Sequence, residues 1–332
     1  HRDLHSFPTR RSSDLNAGSE LTVENHSIVL REKGSICQRI PCRLVDRIVA
    51  SGDLAFPSTV IRKLAGEGIG IFFPSTRGGT SALLWPAGPR SGIRILGQAR
   101  LYFDLPQRDR IARRVVRGKI QGQSSVLRAL KERRPASAFE CDKAVRQLSA
   151  AIENLRSGSP AGPAILGIEG ASAAAYFHAL SSGFPASLGF TSRNRRPPKD
   201  PVNALLSLAY TLLYHAALEA ILSAGLEPSC GFLHTPDPAR AALACDLMEP
   251  FRPAVDWEIW KLWQDRTVRV EHFVNSHGSC LLGKAGRRHF YTAFEQALIP
   301  LRLRLRHVAS AFGRDAETAL RSASLSQAEV QP

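Results

Sequence analysis

Apolar and polar residues alternate over the first hundred positions. Leu21 and Val23, Ile28 and Leu30, then Ile36, Gln38 and Ile40 fall on every second position, the spacing of half-buried strands. Glu24-Asn25-His26 and Glu32-Lys33-Gly34 interrupt the alternation with turn residues. Ile48-Val49-Ala50 is a further short apolar run. From Pro57 to Gly68 the pattern is helical: Pro57 starts the segment, Val60, Ile61 and Leu64 form one side, and Gly66 and Gly68 end it. Ile69 to Phe73 reads as a buried strand. Pro and Gly cluster at 74–79 and 86–92, which predicts loops around a last strand near Leu83. From about Leu105 the period lengthens. Ile111, Val115, Ile120, Val126 and Leu130 recur every four to six residues, as in one or two amphipathic helices. Ser157–Pro163 is a turn segment. Helices over 164–180 and 202–226 follow, joined by the basic loop Phe190–Pro201, with further helices over 240–263 and 286–312. No internal repeat is visible. The pattern predicts an α+β chain: a small N-terminal β-rich domain (16–100), a linker (101–110) and a larger all-α C-terminal domain (111–325). Residues 1–15 have neither period nor the apolar core of an export signal, and read as a non-native scar, with a short basic native arm as the alternative.

Composition adds a partner class. The 332 residues are 44% hydrophobic, enough for a sizeable core. Lys and Arg number 44 against 29 Asp and Glu, and this +15 favours a polyanion such as nucleic acid or an acidic membrane surface. The most apolar stretch, Val202 to Leu226, contains Asn203, His215 and Glu219, so it reads as a core helix and not a membrane span. A cytoplasmic protein is therefore expected, and nucleic acid becomes the favoured partner. The six cysteines form no C-x-x-C pair, which argues against a zinc knuckle or a disulfide framework. The charge is unevenly spread. Residues 105–160 carry 13 basic and 5 acidic side chains, which makes Arg113, Arg114, Arg117 and Lys119 candidate phosphate contacts; a solvated helix face is the plain alternative. The proline-stiffened run Arg193-Asn194-Arg195-Arg196-Pro197-Pro198-Lys199 is a second candidate, or simply an exposed interhelical loop.

Four side chains stand in settings suited to chemistry. Glu169 lies in Leu166-Gly167-Ile168-Glu169-Gly170-Ala171, where small neighbours let a backbone or ligand approach closely; a Glu placed for the helix dipole fits the same pattern. His234 sits where an apolar segment enters the turn Thr235-Pro236-Asp237-Pro238, a common setting for a structural or capping histidine. Asp246 and Glu249, three apart among Leu243, Leu247 and Met248, share a helix face, and Pro250 disturbs the geometry at Glu249. Buried carboxylates need cations: a metal, or an Arg252 network. One imidazole with two or three carboxylates suits Mg²⁺ or Mn²⁺ better than structural zinc, and in a DNA-binding protein such a site suggests phosphodiester chemistry.

Longer runs now make a resemblance specific. KIQGQSSVLR (119–128), AILGIEGASAAAYF (164–177), RNRRPPKDPVNALLSLAYTLL (193–213), GLEPSCGFLHTPDPARAALACDLMEPFRPAVD (225–256) and GRRHFYTAFE (286–295) occur in the order found in the Cas1 spacer integrases of CRISPR adaptation. The chain resembles that family from about residue 20 to about 310. The resemblance implies an N-terminal β domain that forms a homodimer and an α-helical catalytic domain. Two such dimers would sandwich a Cas2 dimer in a heterohexamer, within a prokaryotic cytoplasm. It implies capture of short duplex DNA and its insertion into a CRISPR repeat by attack of a 3′-hydroxyl. It also implies a Mg²⁺ or Mn²⁺ ion held by Glu169, His234 and Glu249, with Asp246 as a fourth ligand or as support for the others. The chain departs from the family pattern in having Gly122 before Gln123, where Asn is common, and in Trp257, Trp260 and Trp263 after the DLMEPFRP run. A stand-alone nuclease acting on branched DNA and a non-catalytic DNA-binding scaffold are the alternative functions.

Overall fold

Short turns fix the register of the first strands. In the computed structural model, which describes residues 19–32, 34–45, 47–50, 54–73, 82–86, 91–194, 197–237, 240–276 and 278–328, β1 (Ser19–Glu24) and β2 (Ser27–Glu32) form a hairpin. Its turn residues Asn25 and His26 both take positive φ, 47° and 55°, the left-handed pair a two-residue hairpin loop requires. β3 (Ser35–Pro41) returns antiparallel to β2 after Gly34 at φ 82°. β5 (Leu54–Ala55) adds to β1 in parallel, giving the order β3-β2-β1-β5. A second sheet orders β4 (Arg47–Val49), β6 (Gly70–Phe73) and β7 (Ala82–Leu84) as β4-β6-β7. Helix α1 (Ser58–Gly66) buries Val60 and Leu64 in a core with Leu21, Val23, Ile28, Leu30, Ile69 and Ile71. Leu21, Val23, Ile28, Leu30, Val60 and Leu64, read from the sequence as one-sided, thus face inward, whereas Ile36 and Ile61 of the same patterns are exposed. The loop expected over 74–79, most of that over 86–92, and the segment 1–15 lie outside the described residues.

The chain divides into two compact units, residues 1–88 with Arg288–Gln296, and the remainder. The second unit is mainly helical and opens with α2 (Gly92–Phe103) and α3 (Leu105–Arg133). Residues 101–110, expected as a linker, are therefore helix, and 92–100 are not β structure. The only break is Asp104, whose carboxylate caps α3 by accepting the Gln107 N–H at 3.1 Å. The basic side chains between the apolar positions hid this continuity. The unit continues through α4 (Ala138–Arg156), α5 (Pro163–Ser181) and α6 (Pro201–Ser223), the last capped by Asp200, which accepts the Asn203 N–H at 2.8 Å. By length and composition α6 could cross a membrane, yet 67% of its apolar window is buried inside the protein, and Asn203, His215 and Glu219 are among its buried residues. It is the central core helix.

The helix expected over 240–263 is broken into α7 (Ala242–Met248), a 3-10 turn (Glu249–Phe251) and α8 (Arg252–Gln264), because Pro250 and Pro253 lack the N–H groups a continuous helix would use. The tryptophans of α8 pack: Trp257 stacks on Trp260 with centroids 4.6 Å apart, and the Trp260 indole N–H donates to the Gly183 carbonyl at 3.0 Å. A hairpin absent from the sequence expectation, β8 (Phe273–Ser276) and β9 (Ser279–Leu282), precedes α9 (Lys284–Ala328), which runs on well past residue 312.

Candidate active site

Four elements of the second unit meet at one ion cluster. Lys119, on α3, is 4% exposed. Its Nζ makes an ion pair with Glu169 of α5 and lies 2.6 Å from Glu249 Oε2. Glu249 is the first residue of the 3-10 turn and is 3% exposed; its Oε1 pairs with Arg252 at 3.1 Å. Burial would raise the Glu249 pKa, but Arg252 and Lys119, with His234 adding to them, outweigh it and hold the carboxyl below its ordinary range. Arg252 lies 4.9 Å from the Tyr210 ring centroid in a cation–π contact. Tyr210 in turn donates to Asp256 Oδ1 at 2.5 Å, and Tyr176 donates to Asp256 Oδ2 at 3.0 Å. Burial pushes Asp256 up to about 6, against the opposing effect of these two hydroxyls and of Arg193 and Arg252.

Asp246 organises the adjoining turn. Its carboxylate accepts the backbone N–H groups of Phe232, Leu233 and His234 at 2.5 to 3.0 Å, and lies 2.7 Å from His234 Nδ1. An ionised carboxylate only accepts, so Nδ1 carries the proton and Nε2 is left as the basic nitrogen. The turn is tight: a Cβ on Gly231 would lie 2.7 Å from the Ala242 carbonyl carbon and 2.8 Å from the His234 oxygen. Of the two roles open to Asp246, its hydrogen bonds fit support of His234.

Glu169 sits on an open face. Gly167, Gly170 and Ala171 beside it are exposed, and a Cβ at either glycine would meet nothing within 4 Å. On α3 the glycines have the opposite purpose. A Cβ at Gly122 would come 3.0 Å from Pro253 Cγ, and one at Gly118 would come 3.3 Å from Pro250 Cβ. Gly122, where the resemblance led to an Asn, lets α3 lie directly on the turn that carries Glu249.

The basic candidates separate. Lys119, expected on a phosphate-tracking face, is instead inside the acidic cluster. Arg193 is turned inward, donating to Asn203 Oδ1 at 2.7 Å and Ser207 Oγ at 3.0 Å, so it fastens its loop to α6 and is not a solvent-facing contact. Arg113 donates to the Pro160 carbonyl at 2.7 Å, tying α3 to the turn before α5. Arg114 and Lys199 are exposed and Arg117 half-buried. Arg195 and Arg196 lie outside the described residues. Arg113, Arg114 and Arg117, with Arg100, Arg110 and Arg156, line a cavity of about 1240 Å³ that Phe232, Phe251 and Phe312 also line. Neither the cavity nor the Lys119 cluster was legible from spacing alone. The one sequence signal for Lys119 was its burial register, four residues after Val115 and one before Ile120.

Among the described residues, no three His, Cys, Asp or Glu side chains are gathered as a ready-made metal site. The donor set nevertheless fits a hard cation. Glu169 and Glu249 already converge on one positive nitrogen, and His234 contributes to the electrostatic field at Glu249.

A model of the family described as "CRISPR associated protein Cas1" matches residues 15–296. The chain is 34% identical over 280 residues to a CRISPR-associated endonuclease Cas1 of Thermodesulfovibrio yellowstonii, covering 83% of this chain and 87% of that one. A solved Cas1 structure from Thermotoga maritima superposes with a TM-score of 0.75 at 26% identity, covering 92% and 96% of the two chains. A casposase bound to its integration product shares the fold, with a TM-score of 0.74 at 23% identity and 90% and 89% coverage.

Proposed function

The chain belongs to the Cas1 family of CRISPR-associated proteins, and from that premise we propose that it is a metal-dependent DNA endonuclease and integrase that inserts short duplex DNA into a CRISPR array. The observation that carries the proposal is the convergence of Glu169 and Glu249 on one cationic nitrogen, beside a histidine whose Nδ1 is locked by Asp246. The residues that would hold the ion are Glu169, Glu249 and His234 through Nε2. A bound Mg²⁺ or Mn²⁺ would supply Lewis-acid polarisation of a phosphoryl oxygen.

The chain's own groups do the rest. Asp246 fixes the His234 ring and its tautomer, which leaves Nε2 as the nitrogen able to act as a ligand. Arg252 orients Glu249 and keeps it ionised. The small residues around Glu169 leave room for a DNA backbone to lie against α5. Arg114 and Lys199, which are exposed, and the half-buried Arg117 supply positive charge for phosphates. In the reaction, the 3′-hydroxyl of the incoming strand gives up its proton as its oxygen bonds to a repeat phosphorus, the existing P–O3′ bond breaks, and the leaving 3′-oxygen takes up a proton. No protein nucleophile is needed. The working assembly in this reading is a heterohexamer of two Cas1 homodimers around a Cas2 dimer, in a prokaryotic cytoplasm.

The test is joining of a short duplex to a supercoiled plasmid bearing a CRISPR array, with Mg²⁺ or Mn²⁺, with and without Cas2. Joining that needs the divalent ion and is stimulated by Cas2 is expected. Cleavage of branched DNA alone, unaffected by Cas2, would identify a stand-alone nuclease. DNA binding with no reaction under any condition would identify a scaffold.

A further inference from the structure

We propose that Lys119 is a tethered counter-cation that holds the divalent ion out of the site until a DNA phosphate arrives with it. The inference rests on the reading of Glu169 and Glu249 as metal ligands. Its basis is the charge balance of the cluster. Two carboxylates, Glu169 and Glu249, are matched by two cations, Lys119 and Arg252, and all four are linked by direct ion pairs. The cluster is neutral as it stands. Lys119 contacts both carboxylates at once, so it occupies the point of highest negative potential, where an incoming ion would otherwise sit. It is nearly buried and leaves solvent little room to screen it.

Two consequences follow. A divalent ion entering this cluster displaces the Lys119 amine from both carboxylates and raises the local charge to +2, which repels it. A phosphate brought in at the same time offsets that excess, and the displaced amine has an anion to turn to. Metal and DNA therefore bind cooperatively, and each raises the affinity of the other by the same factor. An empty enzyme holds metal weakly, and the reacting centre is completed only on substrate.

The experiment is Mn²⁺ binding to the full-length protein, followed by titration calorimetry and by the electron paramagnetic signal of free Mn²⁺, with and without a short DNA duplex. Lys119→Met should bind Mn²⁺ at least about tenfold more tightly than wild type without DNA, since one positive charge within a few ångströms has been removed. Lys119→Arg should stay near wild type. Duplex DNA should tighten Mn²⁺ binding in wild type by a larger factor than in Lys119→Met. Lys119→Gln provides the same charge removal should the Met variant fail to fold. The proposal is overturned if the neutral variants bind Mn²⁺ no more tightly than wild type while Glu169→Gln and Glu249→Gln lose it. If Mn²⁺ binding is untouched by both Gln variants, the metal reading itself fails.

Discussion

Replacing Asp246 tests how the histidine is held. Its carboxylate is 2% exposed and receives four hydrogen bonds, three from consecutive backbone N–H groups and one from His234 Nδ1. Hydrogen bonds to a charged group contribute roughly 1.5–3 kcal/mol each, and a buried donor left without a partner costs about 1–3 kcal/mol. Asp246→Ala strands up to four donors. Some will find water as the turn relaxes, so a loss of about 3–5 kcal/mol is expected. Asp246→Asn keeps one oxygen but sets an NH₂ against backbone donors, and should lose about half as much. Urea unfolding gives the stability. Because Asp246 also fixes the His234 ring, Mn²⁺ affinity should fall about 10–100-fold in the Asn variant even where the protein is fully folded. An Asn variant with wild-type stability and wild-type Mn²⁺ affinity would refute the assignment of Asp246 as the support for His234.

Two further outcomes are expected. Asp256 has its pKa raised to about 6 by burial, so the folded state keeps a proton that the unfolded chain gives up near 3.8; its contribution to stability is full below about pH 4, shrinks as pH rises through 6, and amounts to about 3 kcal/mol in all. The stability of wild type relative to Asp256→Asn, from denaturant curves at pH 4 to 8, should therefore fall between pH 4 and about 6.5 and be flat above 7; a flat difference throughout would contradict the buried carboxyl. Arg117→Ala should weaken duplex binding about equally across sequences and lower the slope of log affinity against log salt by about one, read by fluorescence anisotropy; an unchanged slope would remove Arg117 from the phosphate contacts.

Much of the first unit was legible because its signals are local. Period two, Asn25-His26 and Gly34 determine strands and turns without reference to distant residues. The helices of the second unit were equally plain wherever apolar positions recur on one face, but 92–104 gave no such signal, because the apolar Ile93, Leu96 and Phe103 of that helix are exposed and mark no single buried side. The hairpin at 273–282 has no alternation strong enough to announce it. Within the site, Glu169, His234, Asp246 and Glu249 stood out by their surroundings. What spacing could not supply was pairing across elements. Lys119 looked like one more cation on a basic helix, and Arg193 like one more in a basic loop, because their partners, Glu169, Glu249, Asn203 and Ser207, are assigned only by tertiary packing. Gly122 looked like a lost contact until Pro253 was seen lying against it.

The central claim is that Glu169, His234 and Glu249 act together on a phosphodiester. It is tested most directly by duplex joining to the CRISPR plasmid with Glu169→Gln, His234→Ala and Glu249→Gln, each checked for duplex binding by anisotropy. The account predicts that each variant loses joining by about a thousandfold or more while binding DNA within a few-fold of wild type. Joining that survives in His234→Ala and Glu249→Gln would contradict it.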